Sequence, residues 1–245
     1  MRCLDLFSGI GGFSLGLERA GMETVAFCEY DKHAQKVLRK HWPDVPIFED
    51  VRTFTKGQLD RDGITDIDVI CGGPPCQDIS NAGRKAGLEG ERSGLWFEYF
   101  RIISEIRPRY ALIENVASLA IRGLDRILSD LASIGFDAEW DCIGANRMGA
   151  PHERKRIWIV AYPQRLRPQR QGGYFDALYP TPDAYREASG LVDAFQGDSL
   201  PYVCRGHDGR TPKLDEARLK MLGNAVVPQI PEVIGRAIME IENGT

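Results

Sequence analysis

The chain has 245 residues, of which 43% are apolar and 27% are charged, and its formal net charge is −4. This length fits one domain, or one domain with a small insert. The longest apolar runs are far too short to span a bilayer. The acidic balance argues only weakly against a general coat on nucleic acid. Residues 147–170 nevertheless hold seven basic residues against one acid, a concentration that a phosphate-binding face requires.

Six cysteines are spread along the chain without a CxxC pair or a zinc-like Cys/His spacing, so we predict no metal site. Four of them lie in or beside apolar runs and are interpreted as small core residues in a reducing compartment: Cys3, Cys28, Cys71 and Cys142. The N-terminus has no signal-peptide apolar region. These features predict a cytoplasmic protein without a membrane partner.

The first 160 residues alternate short β-rich runs with helical patterns. We predict strands near residues 2–6, 24–28, 46–48, 68–71, 109–113, 136–142 and 156–161. We predict helices near residues 13–20, 31–41, 92–106 and 121–134. Such alternation is typical of an α/β fold with a mostly parallel sheet and helices on both faces.

Periodicity weakens after Tyr162, where the composition shifts to Pro, Gly, Asp and Arg. We interpret this stretch as a small, loop-rich insert, because its aromatic residues supply apolar surface for packing. Order returns at the C-terminus, where Ile230, Ile234 and Ile238 recur at helical spacing and Pro231 fits the first turn of a helix. The predicted regions are a main domain at 1–162, an insert at 163–217 and a segment at 218–245 that returns to the main domain.

Three predicted strands are followed by residues suited to a nucleotide-like cofactor. The segment Phe7–Gly12 joins the first strand to a helix, and its glycines would let the backbone approach a ligand closely. Glu29 and Tyr30 follow the second strand, where an acid can bond ribose hydroxyls and a ring can stack on adenine. Asp50 follows the third strand and could accept from an adenine amino group. The plainer alternatives are a tight turn, a helix N-terminal carboxylate and a turn residue.

Cys76 lies in a rigid turn, within Gly72-Gly73-Pro74-Pro75-Cys76-Gln77. The two prolines fix φ and remove two backbone donors, so the turn is stiff and non-helical. It directly follows a predicted strand, and open α/β folds keep their sites at such strand ends. The sequence therefore indicates that Cys76 is a candidate nucleophile rather than a core cysteine.

Two charged groups lie near the ends of later strands. Glu114 and Asn115 follow the strand near 109–113, which would place the carboxylate close to the cleft, with Asn115 bracing the loop. Arg154 and Arg156 precede the last predicted strand and share one face of its approach. A solvated charged turn is the alternative for the arginines.

Together these segments resemble the C5-cytosine DNA methyltransferase family, in the form of a short bacterial or phage-type member. The matches follow the family's order and span most of the chain outside 163–217. They are Phe7–Gly12, Glu29–Asp31, Asp50, Pro74–Gln77, Glu114–Val116, Arg154–Arg156 and Gly223–Pro228.

The resemblance implies a Rossmann-like methyltransferase fold and S-adenosylmethionine as cofactor. It implies a cofactor site formed by Phe7, Gly9, Gly11, Glu29, Tyr30, Asp50, Val51, Pro75, Leu95, Asn224 and Ala225. It makes Cys76 the nucleophile that adds to C6 of cytosine, so that C5 can accept a methyl group. It makes Glu114 the acid that touches the base, and it implies that Arg154 and Arg156 hold the phosphate and the base.

The substrate implied is cytosine in double-stranded DNA, flipped out of the duplex. Predicted DNA contacts are Gln77, Ser80, Arg84, Lys85, Arg165 and Arg167. The insert at 163–217 then becomes a target-recognition region, and residues 77–90 a loop that closes over the base. We expect a monomer, with a restriction endonuclease as a candidate partner.

The chain departs from the family's pattern at His152, where Gln is common, and at Asp78, which adds a negative charge beside the DNA. The insert is also short for target recognition. An RNA cytosine methyltransferase shares the motif order and is one alternative. A DNA-binding protein with a degenerate methyltransferase fold is the non-enzymatic alternative, and the presence of Cys76, Glu114 and Arg156 argues against it.

Overall fold

The computed structural model describes residues 1–75, 94–150, 152–166, 173–176 and 221–244. Its strands are β1 Arg2–Leu6, β2 Glu23–Cys28, β3 Ile47–Phe48, β4 Val69–Gly72, β5 Tyr110–Val116, β6 Phe136–Ile143 and β7 Arg156–Pro163. Its helices are α1 Gly12–Arg19, α2 Lys32–His41, α3 Lys56–Arg61, α4 Leu95–Ile106, α5 Leu124–Ser133 and α6 Gln229–Glu242. Short 3-10 helices cover Ala117–Ile121, Ala145–Met148 and Gln164–Leu166.

The strands form one seven-stranded sheet in the order β3-β2-β1-β4-β5-β7-β6. The first five strands run parallel, whereas β7 runs antiparallel to both β5 and β6. The predicted mostly parallel sheet is confirmed. The reversal at β7 fits its connection to β6, which contains a single short 3-10 helix among its described residues and no crossover helix of the kind that parallel neighbours use.

Alternate residues of the central strands face opposite sides of the sheet. On β5, Ala111 and Ile113 pack into one buried cluster, while Tyr110 and Leu112 pack into the other. Helices α3, α4 and α5 contribute buried side chains to the first cluster, and α1 and α6 contribute to the second. The predicted helices on both faces are therefore confirmed.

The C-terminal helix α6 packs directly on α1. Its residues Ile230, Ile234 and Ile238 are buried, as their helical spacing predicts. Gly16 of α1 permits the close approach, because a Cβ at that position would lie 2.7 Å from Pro231 Cγ. Pro231 lies in the first turn of α6, which confirms that prediction.

Three local predictions need correction. Residues 114–116 lie inside β5 rather than after it, because they pair with residues 156–158 of β7. The helix predicted near 121–134 begins only at Leu124, after the 3-10 helix Ala117–Ile121. Helix α3 has no counterpart among the predictions, since six residues with one buried side chain are too few to show a helical pattern.

A small described part of the predicted insert packs against the sheet. Tyr174 is fully buried, and its ring centroid lies 5.9 Å from that of Tyr110 and 5.5 Å from that of Tyr162. Phe175 beside it is also buried. The aromatic residues of the insert thus supply packing surface at residues 173–176. Among the helices described, none has the length and apolar character needed to cross a membrane.

Candidate active site

Many of the predicted site residues lie at the carboxyl edge of the sheet, which we define as the edge where the parallel strands β1–β5 end. The residues at or beside this edge are Phe7, Gly9, Gly11, Glu29, Tyr30, Asp50, Val51, Pro75, Glu114, Arg154 and Arg156. The two arginines reach it because β7 is antiparallel and begins where β5 ends. Topology therefore gathers residues that are more than 140 positions apart in the sequence.

Several predicted site residues lie elsewhere or outside the described residues. Arg165 follows the end of β7 and therefore lies at the opposite, amino edge of the sheet, where it lines a cavity of about 410 Å³ with Arg107 and Gly135. Its predicted DNA contact stays a prediction, at a place removed from Glu114. The predicted residues Cys76, Gln77, Ser80, Arg84, Lys85 and Arg167 lie outside the described residues.

The glycine loop after β1 has a left-handed backbone at three positions. Gly9 and Gly11 have positive φ values of 54° and 85°, and Phe7 shares this left-handed region at 54°. Such a φ is unusual for a bulky residue, so surrounding contacts must hold Phe7 in place. One contact is visible, because its ring stacks on Tyr99 at a centroid distance of 6.3 Å.

Glu29 ties this loop to the end of β2. One carboxylate oxygen accepts a hydrogen bond from Gly9 N–H at 2.7 Å, and the other accepts from Asp31 N–H at 2.7 Å. The side chain is half-buried, and a carboxylate offers about four acceptor positions. Two acceptor positions are used in these contacts, which leaves capacity for hydroxyl donors. Tyr30 beside it is 72% exposed, with its ring open to a stacking partner.

Asp50 and Val51 form a second wall next to β3. Asp50 Oδ2 accepts a hydrogen bond from Arg52 Nη2 at 2.7 Å, and this contact lowers the pKa of the carboxyl. The Val51 carbonyl accepts from Arg101 Nη2 at 3.0 Å. Asp50 is therefore held ionised as an acceptor, and its predicted contact with an adenine amino group remains a prediction. Leu95 is the first residue of α4 and half-buried.

The turn that leads to Cys76 is braced by Asn115. This side chain is 3% exposed and donates from Nδ2 to the Pro74 carbonyl at 2.8 Å, while its Oδ1 accepts from Val116 N–H at 2.8 Å. Asn115 thus bonds to backbone groups as predicted, but it braces the turn after β4 rather than a loop after its own strand, because it lies inside β5. Gly73 allows close packing, because a Cβ there would lie 2.8 Å from Glu114 Oε2.

Glu114 is a largely buried carboxyl that faces a guanidinium group. Its Oε1 lies 3.0 Å from Arg156 Nε, on the neighbouring strand. Burial raises the pKa of Glu114 to about 7, although the positive charges of Arg156 and Arg154 act to lower it. The desolvation effect exceeds the attraction of the ion pair, so this carboxyl is poised to gain or lose a proton near neutral pH.

Arg154 has different partners from Arg156. Its Nη1 donates to the Gly223 carbonyl at 2.6 Å and its Nη2 donates to the Ala225 carbonyl at 2.9 Å. No sequence pattern indicates this contact, which joins residues about 70 positions apart. The two predicted cofactor residues Asn224 and Ala225 therefore lie beside Arg154. Its predicted role on a phosphate or base remains untested by these contacts.

Asp5 is a buried acid that sequence reasoning missed. It is 0% exposed at the end of β1, and its Oδ2 accepts a hydrogen bond from Ser14 Oγ at 2.7 Å. Burial raises its pKa to about 7, against the opposing effect of the Ser14 hydrogen bond. The only available signal was a charged residue within the apolar run of the first strand. This hydrogen bond joins β1 to α1, the two elements that flank the glycine loop.

The described cysteines fit their predicted roles as core residues in three cases. Cys3, Cys28 and Cys71 are buried free thiols, and Cys142 is a half-buried free thiol on β6. Burial raises the pKa of each of these thiols, which leaves them poorly suited to nucleophilic attack. In the described part of the chain, no group of three or more His, Cys, Asp and Glu side chains could hold a metal ion.

Comparison with known proteins identifies the family. The family model described as C-5 cytosine-specific DNA methylase matches residues 1–198. The chain belongs to this family. Type II methyltransferase M.Eco47II of Escherichia coli is 36% identical over 207 residues, which cover 80% of this chain and 46% of the relative. Type II methyltransferase M2.BsuMI of Bacillus subtilis is 35% identical over 169 residues, which cover 66% of this chain and 42% of the relative. The chain thus spans less than half the length of these two relatives.

Solved structures share the fold of this family member over nearly its whole length. A protein encoded within an Escherichia coli prophage superposes with a TM-score of 0.67 at 19% identity and covers 99% of both chains. The Entamoeba histolytica methyltransferase EhMeth superposes with a TM-score of 0.65 at 15% identity and covers 98% of both chains. At these identities, the superpositions establish the Rossmann-like methyltransferase fold and nothing finer.

Proposed function

We propose that this protein transfers a methyl group from S-adenosylmethionine to carbon 5 of cytosine in double-stranded DNA. The single observation that carries the proposal is the Glu114 carboxyl, which is buried beside Arg156 with its pKa raised to about 7. The transfer needs an acid of this kind next to the base. Glu114 lies on β5, beside the end of β4, the strand that precedes Cys76 in the sequence. Family membership supports the same conclusion.

Carbon 5 of cytosine is a poor nucleophile and needs covalent activation. In the proposed reaction the Cys76 thiolate forms a bond to C6, which moves electron density onto C5 and N3. Glu114, in its protonated form, donates to N3 as negative charge develops there. The cofactor would supply the methyl group to C5, its methyl–sulfur bond breaking so that it leaves as a neutral thioether. A base would then remove the C5 proton, the C6–sulfur bond would break to restore the ring and the thiolate, and N3 would return its proton to Glu114.

The geometry around Pro74 supports the placement of these two groups. Asn115 holds the Pro74 carbonyl, and Gly73 brings the same turn against the Glu114 carboxylate. Pro75 is exposed at the end of this segment. The two prolines restrict the backbone of this turn at positions 74 and 75. The described part of the turn before Cys76 is therefore held against the strand that carries Glu114.

The residues at the ends of β1 and β2 fit S-adenosylmethionine. The Glu29 carboxylate retains acceptor capacity for ribose hydroxyls after its bonds to Gly9 and Asp31. Tyr30 offers an exposed ring for the adenine, and Phe7 is fixed in the loop beside them. The cofactor supplies an activated methyl group on a sulfonium. These residues would bind and orient it at the edge where Glu114 lies.

Access to C6 requires the cytosine to leave the base stack, because a duplex shields that atom. We propose that residues 163–217 contribute to target recognition and that the enzyme acts as a monomer in the cytoplasm. The relatives M.Eco47II and M2.BsuMI carry the name Type II methyltransferase, which supports a role beside a restriction endonuclease.

Methyl transfer from labelled S-adenosylmethionine tests the proposal. The purified chain is incubated separately with duplex DNA and with RNA, and the modified base is identified by digestion and mass spectrometry. We expect 5-methylcytosine in DNA, none with Cys76→Ala, and normal transfer with Cys142→Ala as the matched cysteine control. Label found only in RNA would contradict the DNA substrate, and equal transfer by Cys76→Ala would contradict the nucleophile.

A further inference from the structure

Arg154 uses its guanidinium fork on the backbone of the C-terminal segment. The two carbonyls it contacts, of Gly223 at 2.6 Å and Ala225 at 2.9 Å, flank Asn224 on both sides. Asn224 is itself exposed at this edge of the sheet. Because Arg154 bonds to the residues on both sides of Asn224, it restricts the backbone that carries the Asn224 side chain.

The backbone of Arg154 is shaped for this contact. Its φ is 32°, a left-handed conformation that is rare for a residue with a long side chain. Strained positions of this kind persist only where surrounding contacts hold them. The second arginine of the pair, Arg156, turns instead to Glu114. The two arginines therefore have different partners: Arg154 contacts the C-terminal segment and Arg156 contacts Glu114.

The same C-terminal segment also packs closely against α1. A Cβ on Gly12, the first residue of that helix, would lie 2.6 Å from the Val226 carbonyl oxygen. Gly12 directly follows the glycine loop of Phe7, Gly9 and Gly11. Residues 223–226 are thus contacted both by Arg154 and by the helix that follows the glycine loop.

We propose that Arg154 is a positioning residue for the cofactor site, which fixes Asn224 through the two flanking carbonyls, rather than a ligand of a DNA phosphate. This inference rests on the proposed function, because it takes S-adenosylmethionine as the ligand of Asn224. The proposed role depends on the shape of the guanidinium group as well as on its charge. A guanidinium can donate to both carbonyls at once, whereas a lysine ammonium supplies the same charge as a single compact point.

The variants Arg154→Lys and Arg154→Ala test this role, with Lys155→Ala as the control that removes one exposed positive charge next to it. Hydrogen exchange of the ligand-free proteins is measured over residues 221–228. We expect faster exchange there in both Arg154 variants and unchanged exchange in the control. Thermal unfolding of each variant checks that the fold is retained.

Binding and kinetics then separate the cofactor from the DNA. We expect the Kd and KM for S-adenosylmethionine to rise about tenfold in both Arg154 variants, as loss of hydrogen bonds from a charged donor predicts. The KM for DNA, the salt dependence of DNA binding and kcat should change little. In a double-mutant cycle, Arg154→Lys should add almost nothing once Asn224→Ala is present.

Three results would overturn the inference. The first is that Arg154→Lys keeps the wild-type affinity for S-adenosylmethionine. The second is that the effects of Arg154→Lys and Asn224→Ala on this affinity are additive. The third is that the Arg154 variants weaken DNA binding and reduce its salt slope by about one, while the affinity for S-adenosylmethionine stays constant. Any of these in a wild-type protein that transfers methyl groups leaves the proposed function intact. A wild-type chain that neither binds S-adenosylmethionine nor transfers a methyl group would contradict the proposed function as well.

Discussion

Glu114 Oε1 lies 3.0 Å from Arg156 Nε, and the pKa of this carboxyl is nevertheless raised to about 7. The two residues come from neighbouring antiparallel strands, near the point where β5 ends and β7 begins. Burial withdraws the carboxylate from water, and this cost outweighs the attraction of the guanidinium. The pair therefore combines a carboxyl that can hold a proton near neutral pH with a fixed positive charge beside it.

Replacing Glu114 by Gln tests its role as the acid. We expect kcat for methyl transfer to fall by about a hundredfold or more, because general acid assistance typically contributes that much. The Kd for S-adenosylmethionine should change little, since Glu29 and the glycine loop lie on other strands. Single-turnover transfer and calorimetric binding measure the two quantities. Glu153→Gln, a change at an exposed acid nearby, serves as the control, and near-normal turnover by Glu114→Gln would exclude the acid role.

The raised pKa of Glu114 predicts a descending limb in the pH profile. A carboxyl with a pKa of about 7 is protonated below that pH and loses its proton as the pH rises through it. We expect the rate of the chemical step to decline above about pH 7 for this reason, and the decline to be absent in Glu114→Gln. Rates measured between pH 5.5 and about 9 test this expectation. A descending limb of the same midpoint in both proteins would assign it to another group.

Loss of the Asn115 side chain should loosen the turn that leads to Cys76. Asn115→Ala leaves the Pro74 carbonyl without its donor, and a buried unsatisfied group costs about 1–3 kcal/mol. We expect a lower urea midpoint and a reduced kcat. Asn243→Ala, at an exposed asparagine after α6, is the matched control and should behave as wild type. Unchanged unfolding and turnover in Asn115→Ala would show that the prolines alone fix the turn.

Asp5 predicts a pH dependence of stability. Its pKa is raised from 3.8 to about 7 in the folded protein, so the folded state binds the proton more tightly than the unfolded state. The free energy of unfolding should therefore decrease as the pH rises from about 4 to about 7 and level off above that range. Glu114 contributes a slope of the same sign over a similar range.

Urea unfolding at several pH values measures this slope. We expect Asp5→Asn to reduce it, because the amide has no proton to lose, and Glu114→Gln to reduce it independently. Asp60→Asn, at an exposed position on α3, should leave the slope unchanged. A slope that persists in full when both Asp5 and Glu114 are replaced would mean that neither carboxyl has a raised pKa in the folded state.

The sequence predicts much of this fold because its signals are local. Short β-rich apolar runs mark the strands, and isoleucines at helical spacing mark α6, whatever surrounds them. Short elements such as α3 have too few residues for a pattern. The shared edge of the motifs after β1, β2, β3 and β4 is also predictable from the sequence, since parallel strands that end at one edge bring their following residues together.

By itself, the sequence determined the fold class, the family resemblance and the sheet edge at which many of the predicted site residues gather. Tertiary structure alone decided which partners the charged side chains have. Arg154 bonds to carbonyls about 70 positions away, Glu114 faces Arg156 because β7 is antiparallel, and Arg165 lies at the opposite edge for the same reason. The sequence specifies the type of each residue and its neighbours along the chain. Burial, charge pairing and pKa depend on groups that only the packed sheet brings within a few ångströms.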